Sequence, residues 1–374
     1  METIKVGIIG VGIIGKQHLE FYSKIPGVEV IAASDINEKE LDRVAEKYNI
    51  ANKYTDFRKM LERDDLDAVD VCLHNNYHAP VTIEALQAGK HVYCEKPIAG
   101  SYLDGSDMLQ MAQQCGKKLH IQLSNLYLRE TKAAKVLIEE GKLGKIFHAR
   151  SAGYRRRGRP YVDGFGTEFF TRKETAGGGA LFDMGVYHIS ELLYLMDMPE
   201  VSTITGNVYQ EMDMDPKRRE ICRFDTEEVA TGYVRFKDGV SLDILESWAI
   251  HLNEFDGSSI VGSKGGIRIR GVHNGKRTPL SYHTTMCDLD VDTVFPGDQS
   301  DYRWHQLREN TDAYDSSQHH WIAALQGRVD LLPTPQIALD TMLISEGIYL
   351  SDHLGREVTA DEVRNLSKSS VVTV

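Results

Sequence analysis

The sequence predicts an α/β protein: an N-terminal Rossmann domain with a doubly wound parallel sheet, then a C-terminal α+β domain with an open, mainly antiparallel sheet. Residues 1–124 are assigned to the first domain because an apolar strand runs into a glycine-rich loop and strands then alternate with helices. Residues 125–374 are assigned to the second because strand patterns follow one another with few helices between them. Two domains also suit a chain of 374 residues.

The composition is typical of a globular protein, with 41% hydrophobic and 26% charged residues. A net charge of -12 argues against a nucleic acid or an anionic membrane surface as partner. The five cysteines are odd in number and have no C-x-x-C spacing, so we expect neither a disulfide framework nor a metal site. Without a leader pattern or an apolar run of roughly 18 residues, a cytoplasmic location is expected.

The first strand, residues 4–9, leads into a G-x-G-x-x-G pattern. Such a loop lets the backbone turn tightly and approach a pyrophosphate, whose charge is met by the amides at the start of the next helix. The predicted contacts with the cofactor here are Gly10, Gly12, Ile13, Ile14 and Gly15.

An acidic residue follows at the distance that a dinucleotide site requires. The second strand, residues 28–33, ends at Ser34 and Asp35, where a carboxylate can accept hydrogen bonds from the adenosine ribose. Ile36 and Asn37 come next instead of an arginine, and a carboxylate repels a 2′-phosphate. The pattern therefore predicts NAD as cofactor in preference to NADP, with a merely structural turn as the alternative.

The remaining elements of the first domain are read from apolar periodicity and from turn residues. Helices are predicted at 38–48, 79–88 and about 101–115, and strands at 67–73, 91–94 and 118–123. In the second domain, strands are predicted at 146–150, 201–209, 228–236, 240–248 and 259–269, with a hairpin turn at 237–239 and helices at 178–196 and 337–350. Residues 278–302 are predicted to form a long loop.

Ligands of open parallel sheets lie outside the carboxyl ends of the strands. We therefore expect cofactor contacts from Asn75 and His78, which follow one strand, and from Glu95 and Lys96, which follow the next. Lysines are usually solvated, but Pro97 fixes this turn, and the strand points Lys96 toward the nicotinamide. Its ammonium could bind a substrate hydroxyl or carbonyl and help to move a proton.

Two further polar residues, Gln122 and Asn125, follow the last strand of the first domain and are weaker candidates for substrate contacts. Another candidate cluster follows the glycines at 177–179. In a regular helix, Asp183 and Tyr187 share one face, whereas His188 is turned about 140° from Asp183. The alternatives are a surface role for the first two and a buried structural role for the histidine.

These motifs together resemble the Gfo/Idh/MocA oxidoreductases, of which glucose-fructose oxidoreductase and inositol dehydrogenase are members. The resemblance extends over nearly the whole chain and implies a nicotinamide cofactor and a sugar, polyol or glycoside substrate. The matching segments are the loop at 10–15 with His18, Asn75 and His78, the residues 95–97, 141–144 and 177–188, and the terminal helix followed by 355–358.

By this resemblance Lys96 is the catalytic lysine, and Asp183 is the aspartate of a D-x-x-x-H pattern that also contacts substrate. Many members have histidine four residues after the aspartate, but this chain has Tyr187, with His188 next. Tyr187 could be the acid/base if Lys96 lowered its pKa from roughly 10. A local irregularity of the helix would instead present His188, which is also a candidate for binding substrate.

Four arginines lie within residues 155–159 of this acidic chain. Similar loops approach the cofactor and substrate cleft in members that act on sugars, so Arg155 to Arg159 are candidates for contact with a ligand or a neighbouring subunit, with a solvated loop as the alternative. Within this segment, Arg156 and Arg157 are the predicted substrate contacts.

The predicted function is that of an NAD-dependent oxidoreductase, which moves a hydride between the nicotinamide and a carbinol or ketone carbon of a sugar, polyol or glycoside. One variant retains its NAD and oxidises the third carbon of a glycoside ring. The alternative is a non-catalytic NAD-binding sensor or regulatory protein on the same fold. A homo-oligomer, dimer or tetramer, is expected to form through the open sheet.

Overall fold

The computed structural model describes residues 3–164, 166–273, 276–295 and 301–372. Its strands, in chain order, are β1 (Ile4–Ile9), β2 (Val28–Ser34), β3 (Asn52–Tyr54), β4 (Ala68–Val71), β5 (His91–Cys94), β6 (Leu119–Ile121), β7 (Ile146–Tyr154), β8 (Val201–Tyr209), β9 (Val229–Phe236), β10 (Ser241–Ser247), β11 (Ser258–Gly262), β12 (Gly266–Ile269), β13 (Val272–His273), β14 (Lys276–Arg277), β15 (Leu280–Met286), β16 (Leu289–Phe295) and β17 (Val358–Thr359).

The α-helices, in chain order, are α1 (Ile13–Tyr22), α2 (Glu38–Tyr48), α3 (Phe57–Leu61), α4 (Asn75–Gln87), α5 (Tyr102–Cys115), α6 (Arg129–Glu139), α7 (Lys173–Ala176), α8 (Val186–Leu195), α9 (Pro216–Cys222), α10 (Asp301–Leu307), α11 (Ser317–Leu325), α12 (Thr334–Leu354) and α13 (Ala360–Leu366). Short 3-10 helices cover Ser124–Tyr127 and Glu168–Thr171, and Leu181–Gly185 is π-helical. No helix among the described residues is both long enough and apolar enough to cross a membrane.

The backbone contacts divide the chain into two compact units. The first unit comprises Met1–Gln122, Arg303–Gln336 and Ser369–Val374, and the second comprises Leu123–Tyr302 and Ile337–Lys368. These units differ from the predicted ranges in that residues 303–336 and 369–374 group with the N-terminal part. The reason is packing, since Trp321 of α11 is fully buried in the same cluster as Val6 and Tyr93.

The first unit is built on a six-stranded sheet in the order β3-β2-β1-β4-β5-β6, and all its strands are parallel. The order reverses on either side of β1, so the predicted doubly wound sheet is confirmed. The predicted helix 38–48 and strand 91–94 have the observed bounds. Helix α4 begins four residues before the predicted start. The prediction placed the start too late because Asn75, Asn76 and Pro80, which are typical of turns, lie within the first two turns of the helix.

The second unit is built on a nine-stranded sheet in the order β16-β15-β12-β11-β7-β10-β9-β8-β17. Only the β7–β10 pair within this sheet is parallel, so the predicted mainly antiparallel sheet is confirmed. The predicted strand 259–269 is two strands, because the amide of Gly262 donates to the carbonyl of Gly265 and closes a turn between β11 and β12.

The prediction of a long loop at 278–302 was wrong for its described part. Strands β15 and β16 form an antiparallel hairpin, and α10 begins at Asp301. The hairpin turns at Cys287 and Asp288, whose φ angles of 53° and 60° are both left-handed. Turns of this kind are usually marked by Asn-Gly or Asp-Gly, and this one contains no glycine. The sequence therefore lacked the signal that reveals a hairpin.

Candidate functional site

The glycine loop of the first unit has the geometry of a dinucleotide-binding turn. Gly10 has a φ of 91°, and a Cβ there would lie 2.4 Å from the carbonyl oxygen of Cys72. A Cβ on Gly15 would lie 2.1 Å from the carbonyl oxygen of Gly10, so this glycine lets helix α1 pack against the loop. Around Gly12, by contrast, nothing lies within 4 Å of an added Cβ. The open space at Gly12 is where a pyrophosphate could approach the backbone.

Helix α1 begins directly at this open space. Its N-cap is Gly12, and no side chain caps the first turn. The first-turn amides can therefore donate to an anionic ligand, and the helix dipole favours negative charge there. Ile13 and Ile14 lie beside them, with 58% and 36% of their surface exposed. The uncapped amides of this turn, together with the open space at Gly12, suit the phosphates of a dinucleotide.

Asp35 connects the tip of β2 to the glycine loop. Its Oδ2 accepts a hydrogen bond from the amide of Val11 at 2.9 Å, and its Oδ1 accepts one from the amide of Asn37 at 2.8 Å. A carboxylate oxygen can accept two hydrogen bonds, so both retain capacity for ribose hydroxyls. The neighbouring Ile36 is 93% exposed.

The predicted cofactor residue His78 is completely buried between two strand tips. Its Nδ1 lies 2.8 Å from the carbonyl oxygen of Pro97, and its Nε2 lies 3.1 Å from that of Leu73. Burial lowers the pKa of His78. The ring thus joins the turn after β5 to the end of β4. Asn75, at the start of α4, is also buried.

Glu95 is buried directly after β5. Its Oε1 lies 2.8 Å from Nε2 of His18, and its Oε2 accepts the amide of Lys96 at 3.1 Å. Burial raises the pKa of Glu95, but the hydrogen bond and charge of His18 outweigh it, so the pKa lies below its usual value. Within residues 92–101, Lys96 alone is not buried. The turn therefore presents one cation from an otherwise buried segment.

In the second unit, Glu227 fixes the start of the predicted active-site helix. Its carboxylate accepts hydrogen bonds from the amides of Gly179 and Leu181, each at 2.9 Å, and from the Tyr349 hydroxyl at 3.0 Å. A Cβ on Gly179 would lie 2.1 Å from the carbonyl oxygen of Glu227, so glycine is needed for this close approach. Burial raises the pKa of Glu227.

The regular helix predicted over 178–196 was wrong at its start, because Leu181–Gly185 is π-helical and α8 follows it. A π turn contains more residues than an α turn, so it moves Asp183 and His188 toward the same side. Asp183 accepts a hydrogen bond from Nε1 of Trp248 at 2.9 Å, and Nδ1 of His188 lies 2.9 Å from the carboxylate of Glu246. Glu246 is the penultimate residue of β10, and Trp248 directly follows the strand.

His188 and Glu246 form a closely packed pair. Glu246 is completely buried and also accepts the hydroxyl of Ser151 at 2.7 Å. Burial lowers the pKa of His188, but the Glu246 carboxylate outweighs it and leaves the pKa above its usual value. In the described part of the chain, Nε2 of His188 has no hydrogen-bond partner, and 23% of the side chain is exposed. Such a ring is oriented by one nitrogen and can exchange a proton through the other.

The main chain of Tyr187 is held by Asn125. The amide of Asn125 donates to the carbonyl oxygen of Tyr187 at 3.2 Å, and the Ser190 hydroxyl donates to the same oxygen at 3.3 Å. The other polar candidate, Gln122, lies in the first unit, and its backbone N–H donates to the carbonyl oxygen of Cys94. Its buried Oε1 has no hydrogen-bond partner among the residues that the structure describes.

The arginine segment divides into different environments. Arg155 lies 3.9 Å from the carboxylate of Asp183 and is about half exposed at its side chain, 43%. Arg156 and Arg157 are exposed, and Arg157 lies 3.7 Å from Asp163. Arg159 is completely buried between Asp163 and Glu228. Within the predicted segment, the structure thus brings Arg155, rather than Arg156 or Arg157, next to the π-helical turn that carries Asp183.

Sequence reasoning missed Glu227, Glu246 and Trp248. A signal for Glu246 was present, because it shares one strand face with Leu242 and Ile244, which are both buried. A carboxylate in an apolar stripe costs free energy unless it is paired, and therefore indicates a partner. The absence of a metal site stays a prediction. Two groups of potential ligands lie together, His18, Asp70 and Cys72, and His305, Glu309 and Asp315.

Two protein-family models match the chain, one after the other. The model of the oxidoreductase family with an NAD-binding Rossmann fold matches residues 4–123, and that of the GFO/IDH/MocA C-terminal domain matches residues 131–268. The chain is 29% identical over 280 residues to the D-glucoside 3-dehydrogenase of Escherichia coli (strain K12), which covers 73% of this chain and 78% of that protein.

It is also 28% identical over 265 residues to the myo-inositol 2-dehydrogenase of Thermotoga maritima, with 71% of this chain and 74% of that protein covered. Among solved structures, levoglucosan dehydrogenase in complex with NADH has the same fold, with a TM-score of 0.76, 21% identity and coverage of 96% of this chain and 99% of that one. The two family models, which follow one another along the chain, show that it belongs to the Gfo/Idh/MocA family of oxidoreductases.

Proposed function

We propose that the protein is an NAD-dependent dehydrogenase of a sugar, polyol or glycoside, and that His188 is its acid/base. The observation that carries this proposal is the pairing of His188 with the buried Glu246, two residues before the Trp248 that holds Asp183. The relatives named for glucoside and myo-inositol oxidation support the substrate class.

The cofactor would be held by the first unit. Gly12 and the first turn of α1 would receive the pyrophosphate, and Asp35 would accept the ribose hydroxyls. When bound, NAD supplies the acceptor for the hydride. Ile36 in place of a basic residue supports NAD over NADP. Asn75, His78 and Glu95 would act indirectly, since all three are buried.

In the oxidation direction, Nε2 of His188 would take the proton of the substrate hydroxyl. The oxygen keeps the O–H electrons and forms the carbonyl, while the C–H bond breaks and its electron pair leaves with the hydrogen as hydride. Glu246 would stabilise the resulting imidazolium, because a buried carboxylate beside a charged ring strengthens the charged form. Tyr187 remains the alternative acid/base, and it would need Lys96 to lower its pKa.

The other polar groups would bind and polarise the substrate. Lys96 would donate to the reacting oxygen, and Asp183 would accept hydrogen bonds from neighbouring hydroxyls. Among the predicted arginines, Arg155 is favoured as a substrate contact because it lies beside Asp183. Arg156, Arg157 and Gln122 stay candidates for substrate contacts, whereas Asn125 is better suited to holding the backbone of Tyr187.

The test is a spectrophotometric assay of the purified protein with NAD and a panel that includes glucosides, myo-inositol and levoglucosan. We expect NADH to form with at least one of these substrates, and K96A to abolish turnover while the protein still binds NAD. If the protein retains its NAD between turnovers, the substrate would reduce the copurified cofactor in a single turnover, and no free NADH would form. If the protein binds NAD but no member of the panel reduces either added or copurified NAD, the non-catalytic NAD-binding sensor would be the better assignment.

We also propose that the protein is a cytoplasmic homo-oligomer that associates through the open sheet. Met286 and Leu289 are paired across the β15–β16 hairpin and are 59% and 67% exposed. Phe147 of β7 is 48% exposed. A contiguous exposed apolar pair such as Met286 and Leu289 is a feature of protein interfaces. Light scattering should give a dimer or tetramer, and M286D/L289D should lower the mass to that of the monomer. A monomeric wild-type protein would contradict the proposal.

A further inference from the structure

A buried histidine in the first unit joins three elements that carry different parts of the proposed site. His18 belongs to the second turn of α1, and its side chain is 3% exposed. Its Nδ1 lies 2.8 Å from Oδ2 of Asp70 in β4, and its Nε2 lies 2.8 Å from Oε1 of Glu95 after β5. Asp70 is completely buried.

Both ring nitrogens of His18 face carboxylates, and a carboxylate can only accept. Both nitrogens must therefore donate, which requires the imidazolium. Burial lowers the pKa of His18, but Asp70 and the neighbouring Cys72 outweigh it and hold the pKa well above its usual value. The two carboxyl partners and the raised pKa both favour the protonated ring, and the thiol of Cys72 donates to Asp70 as well.

Glu95 connects His18 to the turn that carries Lys96. One carboxylate oxygen is held by His18, and the other accepts the backbone amide of Lys96. From the other side, the His78 ring holds the carbonyl of Pro97. The backbone of the turn is therefore fixed at two points, one of which depends on helix α1.

We propose that His18 is a positioning residue, which ties the cofactor-binding helix α1 to the Lys96 turn through Asp70 and Glu95. This inference rests on the proposed function, in which Lys96 contacts the substrate. It adds that the reach of the Lys96 ammonium depends on a side chain that touches neither substrate nor cofactor. Loss of His18 should lower kcat more than it changes the affinity for NAD.

The test compares H18Q and E95Q with H320Q. Glutamine in place of His18 has one donor nitrogen and no charge, so one carboxylate loses its partner. His320 is a suitable control because it is equally buried in the same unit, and both its ring nitrogens bond to backbone, at Ala313 and Leu332. We expect kcat to fall by about 10- to 100-fold in H18Q and E95Q, with the KM for NAD changed by less than about threefold. The double variant H18Q/E95Q should be no slower than the slower single one.

A measurement that does not depend on turnover separates this inference from the proposed function. Hydrogen exchange followed by mass spectrometry should show faster exchange of peptides covering residues 92–98 in H18Q and E95Q, and wild-type exchange there in H320Q. In the wild type, ¹⁵N NMR should find both nitrogens of the His18 ring still protonated above roughly pH 6.5, where an ordinary histidine is mostly neutral.

Unchanged protection of residues 92–98 in H18Q would overturn the inference, even if the variant were slow. Additive kinetic effects of H18Q and E95Q would also overturn it, as would a stoichiometric metal ion on His18, Asp70 and Cys72. If no substrate is found for the wild type, the exchange and NMR results still decide whether His18 holds the turn.

Discussion

Gly153 lies opposite Glu246 in the parallel β7–β10 pair, and the ring of His188 lies over it. A Cβ on Gly153 would be 2.1 Å from Cε1 of His188 and 2.9 Å from the Glu246 carboxylate. Only glycine leaves room for the histidine to approach its carboxylate partner.

G153A should therefore displace His188 and lower kcat/KM for the sugar by about 10- to 100-fold, with little change in NAD binding. Steady-state kinetics and calorimetric NAD titration would measure both quantities. G266A in the same sheet is the control, because its nearest neighbour would lie 3.3 Å away. Wild-type kinetics in G153A would show that His188 does not need this position.

The two candidate acid/base residues can be separated by conservative variants. H188Q removes the exchangeable ring proton and should lower kcat by about 100- to 10,000-fold, the usual contribution of general acid–base catalysis. Y187F removes the phenol and should lower kcat by less than about tenfold if the tyrosine only contacts substrate. The reverse order of the two effects would assign the role to Tyr187.

The carboxylate partner of His188 should shape the pH profile. Oxidation requires the neutral imidazole, so kcat/KM falls as pH drops below the pKa of His188 in the free enzyme. Because Glu246 raises that pKa, E246Q should lower it and move the acid limb of the profile to lower pH. D243N, a partly exposed position on the same strand, should leave the limb in place. A limb that stays fixed or moves upward in E246Q would contradict the assigned pair.

Asp35 should decide both affinity and selectivity for the cofactor. D35A removes an acceptor for the ribose hydroxyls and for the amide of Val11, so the Kd for NAD should rise by about 10- to 100-fold. The preference for NAD over NADP should fall at the same time. D42A is the control, since Asp42 is a 56% exposed side chain that contacts Lys53. An unchanged Kd, measured by calorimetry, would exclude the proposed contact.

Arg159 should matter for stability. R159M leaves the buried carboxylates of Asp163 and Glu228 without their cation and should lower the free energy of unfolding by about 3–5 kcal/mol. R157M, at a side chain that is 72% exposed, should change it by less than about 0.5 kcal/mol. Urea unfolding of the two variants would measure the difference, and equal stabilities would show that the buried network contributes little.

Features that depend on neighbours in the chain were predictable from sequence. The turn between β1 and α1 is set by the glycines at 10–15 themselves. Asp35 could be found because it follows the next strand at the spacing typical of dinucleotide sites. Helix α2 and strand β5 were also predicted with their observed bounds, because apolar periodicity marks them strongly. The β15–β16 hairpin was not predicted, because its left-handed turn at Cys287 and Asp288 contains no glycine.

The sequence by itself determined the fold class, the NAD loop and the candidate residues Lys96, Asp183, Tyr187 and His188. Only the tertiary structure decided what surrounds them. Glu246 lies 58 residues beyond His188, and the ring also needs Gly153 on another strand. Such contacts follow from strand register and from one π-helical turn. They leave no periodic signal along the chain, because they depend on which strand faces the helix and not on the residues next to it.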